Sequence, residues 1–277
     1  VAQSFAHGNR SHVRGQAGNR GGRTARDRAR RTLSQNFLID PHAVRRVVEA
    51  AGPHELVLEP GAGEGVLTRA LAGTCRKVIA YEIDPLLAER LSTRTRGGGG
   101  IEVVKGDFLG AGAPRERFAV VGNIPYSITS GIVGWCLGAS WLTSATLVTQ
   151  LEYARKRTGD FGRWSLLTVR TWPEHSWELL GRIGRESFRP VPGVDSAILG
   201  IVRRPVPLLP GERMARYREF VEYGFAGLGG SLRASLRMRY PARRVDAAFE
   251  AAWLRPGTVV GFVHPEQWLT LFERLHR

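Results

Sequence analysis

The segment from Leu56-Val57-Leu58 through Glu59-Pro60-Gly61-Ala62-Gly63-Glu64-Gly65 into Val66-Leu67-Thr68-Arg69-Ala70-Leu71 constrains the fold most. A short apolar run that enters a glycine-rich turn and leaves at helical spacing reads as strand, tight turn, helix. The unit recurs: a strand over Lys77–Glu82, a helix launched by Asp84-Pro85, strands over residues 101–104 and 118–121, a helical stretch over 128–137 and a strand over 145–150. Strands alternating with helices need crossover connections, and these give a mostly parallel, doubly wound sheet of the Rossmann-like α/β class. Two later apolar runs, Leu166–Thr171 and residues 197–202, are expected to extend the sheet as strands. Ahead of the sheet, Asp40 suits an N-cap and Pro41 the first helical position, and Val44, Val47, Val48 and Ala51 recur at helical spacing before Gly52. Beyond Arg203-Arg204-Pro205 the pattern turns helical as far as Trp268, Leu271, Phe272 and Leu275. The expected division is a tail over residues 1–31, a catalytic domain over 32–205 and a small helical domain over 206–277.

Charge narrows the partner. Forty Lys and Arg against 25 Asp and Glu leave a net +15, which points to a polyanion. The tail holds eight Arg and one Asp, so +8 remains on the rest of the chain. Poor in hydrophobes and rich in Gly and Arg, that tail cannot bury enough apolar surface to offset its ordering entropy. It reads as an RNA-tracking arm or as a dispensable solvated extension. A second basic stretch, with Arg233, Arg237, Arg239, Arg243 and Arg244 and no acid from 231 to 244, reads as a phosphate-positioning face or as a solvated helix. Cys75 and Cys136 stand far apart in apolar surroundings, and no His pair has ligand spacing, so neither a disulfide nor a metal is expected. No apolar run approaches the length of a membrane span. A cytoplasmic monomer without membrane contact or an obligate protein partner is expected.

In open parallel sheets ligands bind beyond the carboxyl ends of the strands, and four such ends carry suitable groups. The first is the loop of Gly61 and Gly63, where glycine lets a ligand approach the backbone; Val66 at the third glycine position argues against a dinucleotide site. At the second, Glu82 precedes Ile83-Asp84, and its carboxylate can accept from two ribose hydroxyls. The third is Gly106-Asp107-Phe108: Asp107 can accept from an adenine amino group while Phe108 packs near the ring, although an Asp here is also an ordinary turn cap. The fourth is Gly122-Asn123-Ile124-Pro125-Tyr126. There the Asn123 oxygen and the Ile124 carbonyl can hold an amino group, Pro125 stiffens the turn, and Tyr126 offers a face to a base. With S-adenosylmethionine as donor, orientation and proximity suffice, because the leaving group is a neutral thioether.

Together these residues resemble the ribosomal RNA adenine dimethyltransferases, which include the Erm macrolide-resistance methylases and the KsgA-type enzymes. The resemblance runs from Arg31 to the C-terminus. It rests on the four strand ends, on Ser34-Gln35-Asn36-Phe37-Leu38, and on Phe188-Arg189-Pro190-Val191-Pro192-Gly193-Val194-Asp195-Ser196-Ala197. It implies that Gln35, Asn36 and Leu38 help close the cofactor site, and that Gly61, Gly63, Glu82, Ile83, Asp107, Phe108 and Asn123 contact S-adenosylmethionine. It also implies that Asn123, Ile124, Pro125 and Tyr126 form the catalytic turn, with Phe188 as a second aromatic for a flipped base. The Arg- and Gly-rich leader and Gly229-Gly230-Ser231-Leu232-Arg233 favour the Erm branch, hence N6 methylation of one adenine in 23S rRNA and resistance to macrolides, lincosamides and streptogramin B. A KsgA-type methylase of 16S rRNA, a non-catalytic nucleic-acid-binding relative and a DNA adenine methylase are the alternatives. Leu151 departs from the family pattern, where a basic residue is frequent.

Overall fold

The computed structural model describes residues 36–277, which belong to one compact unit. Gln35, the rest of the tail and the start of the first family motif lie outside the described residues. A seven-stranded sheet runs in the order β4-β3-β2-β5-β6-β9-β7. Its first five neighbours, β4 (Ile101–Lys105), β3 (Lys77–Glu82), β2 (Leu56–Pro60), β5 (Phe118–Asn123) and β6 (Leu142–Gln150), are parallel. On the far side β9 (Ser196–Arg203) and β7 (His175–Ile183) pair antiparallel to their neighbours. Central β2 is buried at every position, as a parallel strand covered on both faces should be.

The helices begin where side chains can meet their unpaired N–H groups. Asp40 accepts from the His42 backbone at 2.9 Å to start α1 (Pro41–Ala51), whose Val44, Val47 and Val48 face the core. Asp84 does the same for α3 (Pro85–Thr95), accepting from Leu86 and Leu87. Between them, α2 (Val66–Ala72) springs from the glycine loop. Helix α4 (Thr129–Gly138) follows the Asn123 turn, and α5 (Leu151–Thr158) follows β6.

The strand expected at Leu166–Thr171 is instead a helix, α6, capped by Ser165, whose hydroxyl accepts from the Thr168 N–H at 3.3 Å. A short run of apolar and β-branched residues, interrupted only by Arg170, suits a buried strand or a buried helical turn equally, and the cap decides it. The extra strand is β7, hidden in the sequence by Glu178, Arg182 and a register shift between Leu179 and Gly181, as befits a sheet edge. Residues 197–202 are a strand as expected, inside β9.

After β9 come α7 (Gly211–Phe225), α8 (Leu232–Arg237), α9 (Ala242–Ala251) and α10 (Pro265–Leu275). They close a core of their own around Tyr217, Phe220, Trp268 and Phe272. Helix α6 joins this second core through Val169, and the Tyr217 hydroxyl donates to the Val169 carbonyl at 3.0 Å. A two-stranded ladder pairs β1 (Phe37–Leu38) with β8 (Phe188–Arg189), tying the chain ahead of α1 to the proline-rich loop.

Candidate active site

Parallel register brings the carboxyl ends of β2, β3, β4 and β5 side by side, and with them the four groups read from the sequence. The glycine loop sits over β3: Gly61 and Ala62 both donate backbone N–H to the Tyr81 carbonyl, at 2.9 and 3.0 Å. Gly61 (φ 70°) and Gly63 (φ 57°) occupy the left-handed region that other residues avoid. Glu82 is buried (1% exposed), with Oε2 accepting from the Gly63 N–H at 2.7 Å and Oε1 from the Asp84 N–H at 2.8 Å. Desolvation raises its pKa, and the two backbone donors oppose that rise. Each oxygen keeps a second lone pair, so the carboxylate is fixed in direction and still able to accept.

One strand over, Glu59 has no backbone donors of this kind among the described residues. Its carboxyl is 2% exposed, Oε2 has no hydrogen-bond partner among the described residues, and neither has the buried Thr68 hydroxyl. Burial pushes Glu59 up to about 8, the nearby Thr68 hydroxyl and the Arg69 charge opposing the rise and the Glu82 charge adding to it. An orphaned acceptor buried at the glycine loop suits a cationic ligand that brings its own donors.

The Asn123 turn is packed directly against this loop. A Cβ on Gly122 would lie 2.9 Å from Pro60 Cδ and 3.1 Å from the Pro60 carbonyl oxygen, and one on Gly61 would lie 3.7 Å from Pro125 Cδ. Asn123 Nδ2 donates to the Asn36 carbonyl at 2.7 Å, which anchors the amide and leaves Oδ1 as its acceptor end. The Tyr126 hydroxyl shares a 2.7 Å hydrogen bond with Ser196 Oγ on β9. Asn36, Phe37, Gly61, Asn123, Ile124, Pro125 and Tyr126 enclose a cavity of about 30 Å³, room for water and not for a purine.

The family model for ribosomal RNA adenine dimethylases matches residues 26–277. The chain belongs to the ribosomal RNA adenine dimethylase family. It is 58% identical over 254 residues to an rRNA adenine N-6-methyltransferase of Streptomyces fradiae, covering 90% of this chain and 79% of that one. It is 37% identical over 250 residues to the mycinamicin-resistance protein MyrB of Micromonospora griseorubida, covering 90% and 79%. Among solved structures, the 23S rRNA methyltransferase ErmE superposes with a TM-score of 0.85 at 54% identity, over 87% of this chain and all of that one. The dimethylase is therefore an S-adenosylmethionine-dependent enzyme, and the orphaned Glu59, the fixed Glu82 and the left-handed glycines are groups that fit that cofactor.

In this dimethylase, not every expected residue reaches the cavity. Phe188 is fully buried among Leu38, Val44, Val57 and Ile198, because Leu38 and Phe188 face each other in the β1–β8 ladder. Leu38 is likewise core, at 5% exposure. Phe108 packs inward against Tyr81 and Trp135, with ring centroids 5.3 and 4.5 Å away, while exposed Ile83 supplies an apolar surface beside Glu82. Asp107 is an exposed cap, accepting from the Leu109 N–H at 3.0 Å. Sequence reasoning missed Ser196 as the partner of Tyr126, the Asn36 carbonyl as the anchor of Asn123, and the burial of Glu59. The first two contacts span 70 and 87 residues, so no local pattern announces them.

Proposed function

We propose that this dimethylase places methyl groups on N6 of one adenine in 23S rRNA and thereby confers macrolide, lincosamide and streptogramin B resistance. The observation that carries the reading is the Asn123 amide, anchored through its nitrogen by Asn36 and packed against the glycine loop. Likeness to ErmE over that structure's whole length supports the 23S target, and likeness to MyrB supports resistance.

When bound, S-adenosylmethionine supplies a methyl group on a positively charged sulfur. The chain's own residues do the positioning. Glu82 accepts from the ribose hydroxyls, Asp107 from the adenine amino group, and Gly61 and Gly63 admit the cofactor to the backbone. Asn123 Oδ1 and the Ile124 carbonyl accept the two hydrogens of the target amino group, which aims its nitrogen at the methyl. Tyr126, tethered to Ser196, stacks on the extruded base, and Phe188 joins it only by leaving the core. In this reading the helices of residues 206–277 position rRNA phosphates, residues 1–31 track RNA, and the enzyme acts as a cytoplasmic monomer.

Primer extension on 23S rRNA from cells expressing the chain tests the proposal, since a dimethylated adenine stops the polymerase at one nucleotide. A single new stop, with labelled methyl absent from small subunits, is the expected result. Label confined to small subunits would overturn it in favour of a KsgA-type activity.

A further inference from the structure

Among the described residues only Phe161 (φ 63°) and Trp253 (φ 54°) are non-glycine residues in the left-handed region, and both are exposed aromatics. A bulky side chain disfavours that backbone, and a large apolar ring disfavours water. Phe161, 69% exposed, accepts both penalties on a turn between α5 and α6. The Arg155 guanidinium lies 4.0 Å from its ring centroid and is held there by Asp160. Beside it stands a second pair of the same kind: exposed Phe262 with Arg163, 5.1 Å from the centroid. The two turns are joined by a 2.7 Å hydrogen bond from the Trp164 N–H to the Gly261 carbonyl.

This patch is linked to the active site. Arg155 also lines a cavity of about 470 Å³, together with Leu151, Glu152 and Asp195. The Leu151 N–H donates to the Asp195 carbonyl at 2.9 Å, and the next residue, Ser196, holds the Tyr126 hydroxyl. One turn of α5, about 6 Å of rise, separates Leu151 from Arg155. The target turn is thus joined through β9 and α5 to an open pocket, and beyond it to two exposed rings flanked by guanidinium groups.

We propose that Phe161 and Phe262, each with its arginine, form a stacking platform for unpaired nucleotides flanking the target adenosine. This rests on the reading that Tyr126 receives the target base. An unstacked base presents a π-face and a nearby phosphate, which an aromatic ring with an adjacent guanidinium complements in both shape and charge. On a chain of net charge +15 the fitting occupant is the RNA strand.

The test compares the full chain with Phe161→Gly, Phe161→Trp and Arg163→Ala, using a 23S rRNA transcript and, separately, oligoadenylate. Glycine suits a φ of 63°, so Phe161→Gly should melt no lower than the parent. It should bind both RNAs about tenfold more weakly, the loss expected for one stacked base. KM for the transcript should rise with kcat unchanged, the salt slope should stay the same, and Phe161→Trp should restore binding. Arg163→Ala should flatten the salt slope by about one. Undiminished RNA affinity in Phe161→Gly would overturn the platform, as would a loss matched by a lower Tm that tryptophan does not restore. A parent that leaves 23S rRNA unmethylated defeats the target assignment instead, and oligoadenylate binding still decides the platform.

Discussion

The strand ends of the sheet and the C-terminal helices handle charge in opposite ways. At the strand ends, Glu82 is buried and held by two backbone N–H groups, one from the glycine loop and one from the turn that follows its own strand, whereas Glu59 is buried with one oxygen unpartnered. In the helices, charges stay near the surface and are balanced by partners from other turns. Arg233 and Arg237 both reach Asp246 on α9, at 2.7 and 2.5 Å. Arg244 donates instead to the Arg274 and Leu275 carbonyls, and Arg239 lies 5.4 Å from the Tyr223 ring centroid. Buried polar groups committed in advance are what orientation-driven catalysis needs; solvated, partly neutralised cations are what adjustable contact with a backbone polyanion needs.

The largest effect should come from breaking the committed side. Asn123→Ala removes both the donor that anchors the turn to Asn36 and the acceptor aimed at the target amino group. Transfer in single-turnover assays should fall about 10²-fold or more, because a misplaced nucleophile loses its proximity advantage. Cofactor affinity, measured by calorimetry, should change little. Turnover equal to the parent's would remove Asn123 from the target pocket.

Next in size is Gly122→Ala. The added Cβ would meet the Pro60 backbone as well as its ring, and a central strand cannot step aside. A stability loss of about 1–3 kcal/mol in urea unfolding is expected, typical of overpacking. An unchanged midpoint would mean that the Asn123 turn and the glycine loop are less tightly pressed together.

What the sequence disclosed, and what it hid, follows the same division. The glycine loop, Glu82, Asp107 and the Asn123 turn were readable as neighbours because each lies at the end of its own strand, and parallel pairing brings those ends together. Phe188 and Leu38 carry family motifs yet lie in the core, since the two-residue ladder that buries them depends on pairing across 150 residues. Leu166–Thr171 was misread because apolar composition does not separate a buried turn of helix from a buried strand. The acid-free run from 231 to 244 looked uncompensated only because its counter-ion, Asp246, arrives from the following helix.

Glu59 sharpens the contrast by its pH dependence. Folded, it keeps its proton up to about pH 8, while unfolded it releases it near 4.5. The native state therefore binds more protons between those values, and stability falls as pH rises through that window. Glu59→Gln should remove this slope, with the variant gaining most over the parent above pH 8 in cofactor-free thermal melts. Buried His175 on β7 supplies an internal reference of opposite sign. Desolvation lowers its pKa to about 4, so its contribution is present above 6.5 and is lost as pH falls toward 4. Glu59→Gln should leave that acid limb in place. A parent whose Tm does not drop between pH 5 and 8 would argue that Glu59 is ionised in the folded chain.

The smallest effect on the fold, and the one that bears most directly on the helical side, comes from Asp246→Asn. Two arginines that share one carboxylate would be freed without any loss of side-chain volume. Exposed ion pairs contribute little to stability, so the melting temperature should barely move. If this face meets rRNA phosphates, the freed cations should displace counterions from the RNA. Affinity should then rise at low salt, converge with the parent's at high salt, and show a salt slope steeper by up to about two. An unaltered slope would mean that the run from Arg233 to Arg244 faces water and that phosphate contact lies elsewhere on the chain.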